Sequence, residues 1–152
     1  MTERSIVVGA PADTVYELVA DPMRMGHWSP ECVRCRWIGG ATRAAVGARF
    51  RGTSRNGRRR WTTTSAITAM RPGELFAWEV TYFGQRVARW EYRLEAVPDG
   101  VRLVESAEDR RGGLLRVVSP FITGSSDRAE RNADTMESTL HAVKAAAEAR
   151  HR

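Results

Sequence analysis

The chain has 152 residues, 28% charged and 42% hydrophobic, and its formal net charge of +6 rests on arginine, Lys144 being the only lysine. That length suits one domain able to bury about two thirds of its unfolded surface without disulfide or metal staples, and no apolar run approaches the ~20 residues of a membrane span. The composition has no disordered block, and an arginine surplus beside abundant alanine is weak support for a nucleic-acid partner.

Thr2 to Gly9 reads as a strand; the Met1-Thr2-Glu3-Arg4 start is too short and too acidic for a secretory signal, so the expected compartment is the cytoplasm. Ala10-Pro11-Ala12-Asp13 opens a helix with proline where an N–H would go unpaired, and Val15, Leu18 and Val19 form its apolar face. Asp21-Pro22 ends it, because the residue before proline is pushed out of helical geometry. A short second turn, Pro22 to Gly26, leads to His27-Trp28-Ser29-Pro30-Glu31.

Cys32 and Cys35 form a lone Cys-x-x-Cys inside the alternating run Cys32-Val33-Arg34-Cys35-Arg36-Trp37-Ile38. On a regular strand, positions three apart point to opposite faces, and the helix N-terminus or second ligand pair that redox or zinc chemistry needs is not evident. Neither a metal nor a cofactor is expected.

From Glu31 to about Arg110 the pattern is an antiparallel meander punctuated by Gly39-Gly40, Asn56-Gly57, Arg71-Pro72-Gly73, Phe83-Gly84 and Pro98-Asp99-Gly100. With the first segment this makes about seven strands. Ala88 to Ala96 alternates most cleanly, with Trp90, Tyr92 and Leu94 on one face and Arg89, Glu91, Arg93 and Glu95 on the other. Phe76, Trp78, Val80 and Tyr82 share a face in the strand before; Trp61, Thr63, Ser65 and Ile67 share one earlier, and Phe50 anchors another. The expected product is one curved sheet with an aromatic concave side that must be covered.

Leu103 and Glu105 share a phase, so an inward Leu103 brings a carboxylate inward with it, requiring a partner or a raised pKa. An arginine partner near the sheet mouth and a role toward a ligand are both open. The basic hairpin Arg49, Arg51, Arg55, Arg58, Arg59 and Arg60 reads first as a soluble sheet edge and second as a contact for an anionic partner. Gly112 to Gly124 is too apolar for an ordinary surface loop and fits either a lid or a packed connection.

Last comes a helix from about Asp127 to Arg150, with Ala129, Ala133, Met136, Leu140, Val143 and Ala147 on one stripe and Asp127-x-x-Glu130 as a capping box. At ~1.5 Å per residue it spans a small domain, and it is the natural cover for the sheet; a short coiled coil is the alternative. The stripe is half alanine, so the aromatics of the sheet outsize what it can fill and leave a hollow.

The order of elements, the stretch Ala10-Pro11-Ala12-Asp13-x-Val15-Tyr16-x-Leu18-Val19-x-Asp21-Pro22 with Trp28 after it, then Trp90-x-Tyr92-x-Leu94, and Met136-x-x-Thr139-Leu140-x-x-x-Lys144 resemble the START and Bet v 1-like (SRPBCC) superfamily, and most nearly its bacterial polyketide cyclase/dehydratase and lipid-transport group. The resemblance implies an α+β helix-grip fold over 1–152 as one domain: a seven-stranded curved antiparallel sheet wrapped around a long C-terminal helix, with two short helices after strand one. It also implies a cavity for a small lipophilic or aromatic molecule. Trp28, Phe50, Trp61, Trp78, Tyr82, Trp90, Tyr92, Leu103, Phe121, Met136 and Leu140 are the expected ligand contacts, and Glu105, Tyr92 and Tyr82 the candidates for proton transfer. Carriage of the ligand is the leading reading, a cyclase or dehydratase the second, and a basic interaction module the third. Nucleic acid or a membrane surface is not expected as partner, and a homodimer is compatible with the sequence.

Overall fold

The structure, a computed structural model, describes residues 1–124 and 128–151. In chain order it runs β1 (Thr2–Val8), α1 (Ala12–Val19), a 3₁₀ turn (Pro22–Arg24), α2 (Met25–Trp28), β2 (Cys32–Ile38), β3 (Arg49–Asn56), β4 (Arg59–Arg71), β5 (Leu75–Tyr82), β6 (Gln85–Val97), β7 (Gly100–Asp109), α3 (Gly113–Thr123) and α4 (Arg128–His151). The strands form one antiparallel sheet in the order β1-β7-β6-β5-β4-β3-β2, a meander whose last strand takes β1 as its outer neighbour. No described helix is long and apolar enough to cross a membrane.

Local chemistry accounts for the turns. Tyr82 pairs with Gln85, so Phe83 and Gly84 alone reverse the chain, both at positive φ (49° and 77°), as a tight hairpin between right-twisted strands requires. Gly100 begins β7 where the end of β1 crosses close, and a Cβ there would collide with the Val8 carbonyl oxygen. Pro11 sits at the cap of α1, one position before the first helical residue, with extended backbone (φ −62°, ψ 149°). Asp21 fastens the next turn by accepting from the Met23 N–H at 3.0 Å.

Two sequence expectations change at the level of elements. β2 carries a bulge: Cys32 faces Ser54 and Arg34 faces Thr53, leaving Val33 as an extra residue. One inserted residue inverts the alternation, so Cys32 and Cys35 point to the same side with their sulfurs 3.8 Å apart. The stretch after β7 is a helix, α3, closed by Gly124 in left-handed geometry (φ 72°). Its flanking glycines stand at its ends, and Pro120 lies in its last turn. Leu115, Ser119 and Thr123 turn inward, while Leu114, Val117 and Phe121 are 75%, 69% and 73% exposed. The Asn56 side chain donates to the Thr123 carbonyl at 2.8 Å and the Arg59 guanidinium to that of Phe121, tying α3 to the tip of the basic hairpin.

α4 lies along β1 and α1. Met136, Leu140, Val143 and Ala147 are fully buried, and the last three share one core with α1 residues Val15, Leu18 and Val19 and the sheet residues Ile67, Phe76 and Leu103. The stripe rotates toward its N-terminus: Thr135 and Thr139 are buried, Ala133 is half-buried and Ala129 is exposed. The Asp127 of the expected capping box lies outside the described residues. The closed core therefore occupies one end of the concave face, and the first turns of α4 overhang the other.

Candidate functional site

At that other end a cavity of about 170 Å³ opens between the concave face, α2 and the start of α4. Its walls follow from the period-two alternation of strands laid side by side: Phe50 from β3, Trp61, Thr63 and Ser65 from β4, Trp78 and Val80 from β5, Trp90 and Tyr92 from β6, Glu105 from β7. Register then sets the neighbours. Trp78 stands opposite Trp90 and stacks on it at 6.2 Å with planes 10° apart, and Tyr92 stands opposite Glu105. Trp28 closes the wall from α2; its indole N–H donates to the Leu18 carbonyl at 3.2 Å, so the ring's one polar atom is committed to the fold.

Glu105 is the polar exception on this floor. It is 4% exposed, and burial pushes its carboxyl up to about 8; the Tyr92 hydroxyl beside it works against that rise without cancelling it. Among the described residues no arginine reaches it, and its Oε1 has no hydrogen-bond partner. At neutral pH it is therefore mostly a neutral acid, able to donate one hydrogen bond into an apolar room. Burial foremost, then the Glu105 carboxyl, drives the Tyr92 phenol well above its ordinary value, so Tyr92 stays protonated.

The mouth is charged. Glu31, 9% exposed, accepts from Arg128 at 2.6 Å and from Arg131 at 3.1 Å, and the Arg128 guanidinium lies 5.7 Å above the Trp61 ring. Both arginines thus converge on one carboxylate. A second hollow of about 280 Å³, lying toward α3 and β1, shares Trp61, Val87, Trp90, Arg128 and Asn132 with the first and extends it.

Of the residues picked from the sequence, Trp28, Phe50, Trp61, Trp78, Trp90, Tyr92 and Glu105 meet in this cavity. Tyr82 does not: it keeps the phase of Trp78 and Val80 but stands at the far end of β5, beyond the cavity, where it lines a small hollow under α3 that shares Trp61, Thr63 and Val87. Leu103 and Leu140 belong to the closed core, Met136 is fully buried away from the cavity lining, and Phe121 faces outward on α3. Sequence reasoning passed over Glu31, Arg128, Asn132, Met25 and both cysteines, all of which line the cavity. The arginines carry no local motif, whereas a cysteine pair in an alternating run was a signal that only the bulge makes legible. Among the described residues no three His, Cys, Asp or Glu side chains gather to hold a metal ion.

Comparison with known proteins gives a consistent frame. The family model described as polyketide cyclase / dehydrase and lipid transport matches residues 2–148. The solution structure of the Polyketide_cyc-like protein Cgl2372 from Corynebacterium glutamicum is 33% identical over 93% of this chain and 87% of its own, with a TM-score of 0.59. The Zhui aromatase/cyclase from Streptomyces sp. R1128 is 21% identical over 99% of this chain and 94% of its own, with a TM-score of 0.67. The di-domain ARO/CYC StfQ from the steffimycin biosynthetic pathway superposes with a TM-score of 0.75 at 13% identity, covering 98% of this chain and half (50%) of that one. The last two likenesses show the fold. No curated protein matches the sequence.

Proposed function

Because the chain belongs to the polyketide cyclase/dehydrase and lipid-transport family, we propose that it binds and carries a small aromatic or lipophilic molecule in the cavity between the sheet and the start of α4. The observation that supports this reading most is the unpartnered Oε1 of buried Glu105 at the foot of tryptophan walls. An orphaned buried oxygen costs on the order of 1–3 kcal/mol, which a ligand hydroxyl or carbonyl meeting that carboxyl would offset. A cavity of about 170 Å³ suits a single ring, since engineered apolar cavities of ~150 Å³ take up benzene. The adjoining hollow gives a larger molecule room to extend toward the arginines at the mouth. Native mass spectrometry and tryptophan quenching against a panel of polyphenols and fatty acids test the proposal. The expected result is one saturable site for at least one class; titrations that stay linear across the panel end it.

A second reading has its own support. A protonated Glu105 beside Tyr92 is a buried proton donor at the cavity floor, the arrangement a cyclase or dehydratase needs to protonate a ligand carbonyl oxygen as a carbon–carbon bond forms or water leaves. Once a substrate is identified, Glu105→Gln and Tyr92→Phe should each lower turnover by about 10²-fold or more. Unchanged turnover in both variants would remove Glu105 and Tyr92 as the proton-transfer groups.

A further inference from the structure

The bulge at Val33 brings two thiols together inside the cavity wall. Cys32 and Cys35 both line the hollow, their sulfurs 3.8 Å apart, and the Met25 sulfur lies 3.9 Å beyond Cys35. A disulfide needs ~2.05 Å between sulfurs, so the pair, 3.8 Å apart, must close by about 1.8 Å to bond. The geometry is held from behind. α2 rests on the bulge so closely that a Cβ on Gly26 would lie 3.2 Å from the Val33 carbonyl oxygen, and the Glu31 carbonyl, just before the pair, accepts from the Arg55 N–H at 2.7 Å.

We propose that Cys32 and Cys35 are a thiol–disulfide exchange site, taking small aliphatic disulfides and closing to an internal disulfide that governs occupancy of the cavity. The second half of this statement rests on the carrier reading above; the first does not.

The two thiols are unlike, and the asymmetry orders the steps. The hydrogen bond from Cys35 favours the Cys32 thiolate and outweighs burial and the Glu31 charge, which oppose it. The same hydrogen bond, with burial, drives Cys35 far up. The Glu31 charge is itself offset by Arg128 and Arg131. Cys32 thiolate attacks one sulfur of a disulfide RS–SR, forming a mixed disulfide and releasing one RS⁻, which takes up the proton Cys32 had given to solvent. Cys35 then loses its proton to solvent and attacks the Cys32 sulfur, expelling the second RS⁻, which is protonated in turn. Two protein thiols are oxidised and one small disulfide is reduced to two thiols.

Because both sulfurs face the hollow, an occupant and an incoming disulfide compete for the same space. Closing the bond also draws the pair away from its present contacts and reshapes the wall that Trp28, Phe50 and Met25 share with it.

Native protein treated with bis(2-hydroxyethyl) disulfide and read by intact mass should lose two hydrogens and keep no adduct, reversibly with reductant. Cys35→Ser should stop at one retained adduct, and Cys32→Ser should react at least about 10-fold more slowly, as expected when the more acidic thiol is removed. Two stable adducts on the wild type, or an internal bond that forms only in denaturant, would overturn the exchange site without recourse to either variant. With 1-naphthol as the probe of occupancy, binding should slow closure, and the closed form should bind it several-fold differently from the dithiol. Closure at the same rate with 1-naphthol bound overturns the link to occupancy. If 1-naphthol and the wider panel fail to bind while the disulfide still forms, the carrier reading falls and the exchange site stands.

Discussion

Glu105 is the residue on which physics and placement meet most sharply. In the unfolded chain its carboxyl titrates near its ordinary value of 4.5, and in the fold at about 8. Between those values the native state holds a proton that the unfolded chain has lost, so the stability this group contributes is fully present below 4.5 and is lost as pH rises through 8. The wild type should therefore lose on the order of a few kcal/mol between about pH 5 and pH 9 through this group, whereas Glu105→Gln, uncharged at every pH, should not. Urea midpoints of the two proteins should coincide near pH 5 and separate near pH 9 with the variant more stable. Parallel curves across that range would mean that the carboxyl is solvated or paired. The alternation of Leu103 and Glu105 foretold the inward carboxylate. Its neighbour did not follow from the sequence, because Tyr92 meets it only through the pairing of β6 with β7.

At the scale of elements, β2 and α3 show what local pattern leaves open. A strand's alternation is legible only while its register is regular, and Val33 breaks it by one residue, bringing Cys32 to the cavity face on which Cys35 stands. Helix α3 is short, bounded by glycines and interrupted by Pro120, so its pattern is close to that of a loop; it is tied down by the Asn56 and Arg59 contacts made across the fold. Losing the Asn56 contact should loosen α3 alone. In Asn56→Ala, amide exchange over residues 113–123 should speed up by about 5- to 10-fold, the equivalent of ~1 kcal/mol, while β5 to β7 keep their protection. Uniform acceleration everywhere would show that α3 is part of the global unit. Gly100 marks the opposite case, a position where backbone approach leaves no choice. Gly100→Ala must push β1 from β7 or twist its own backbone, and should lower the melting temperature by several degrees.

For the whole molecule the telling feature is that one helix does two different jobs along its length. Its C-terminal two thirds plug the sheet with Met136, Leu140, Val143 and Ala147, and its first turns bring Arg128, Asn132 and Thr135 over a room that stays open. Leu140→Ala should cost about 2–5 kcal/mol by denaturant unfolding, as cavities do in closed cores, whereas Thr135→Ala at the open end should cost under ~1 kcal/mol. Equal losses at the two sites would contradict the division. The sequence by itself determined the layers: alternation, turn chemistry and a 24-residue helix leave a covered antiparallel sheet as the way to bury these aromatics. It also determined that the cover was too slight for the rings beneath it. Only the tertiary structure decided where the unfilled volume collects and which polar groups face it, because bulges at Val33 and Val87 and the pairing of distant strands set side-chain direction through contacts that no short stretch of chain encodes.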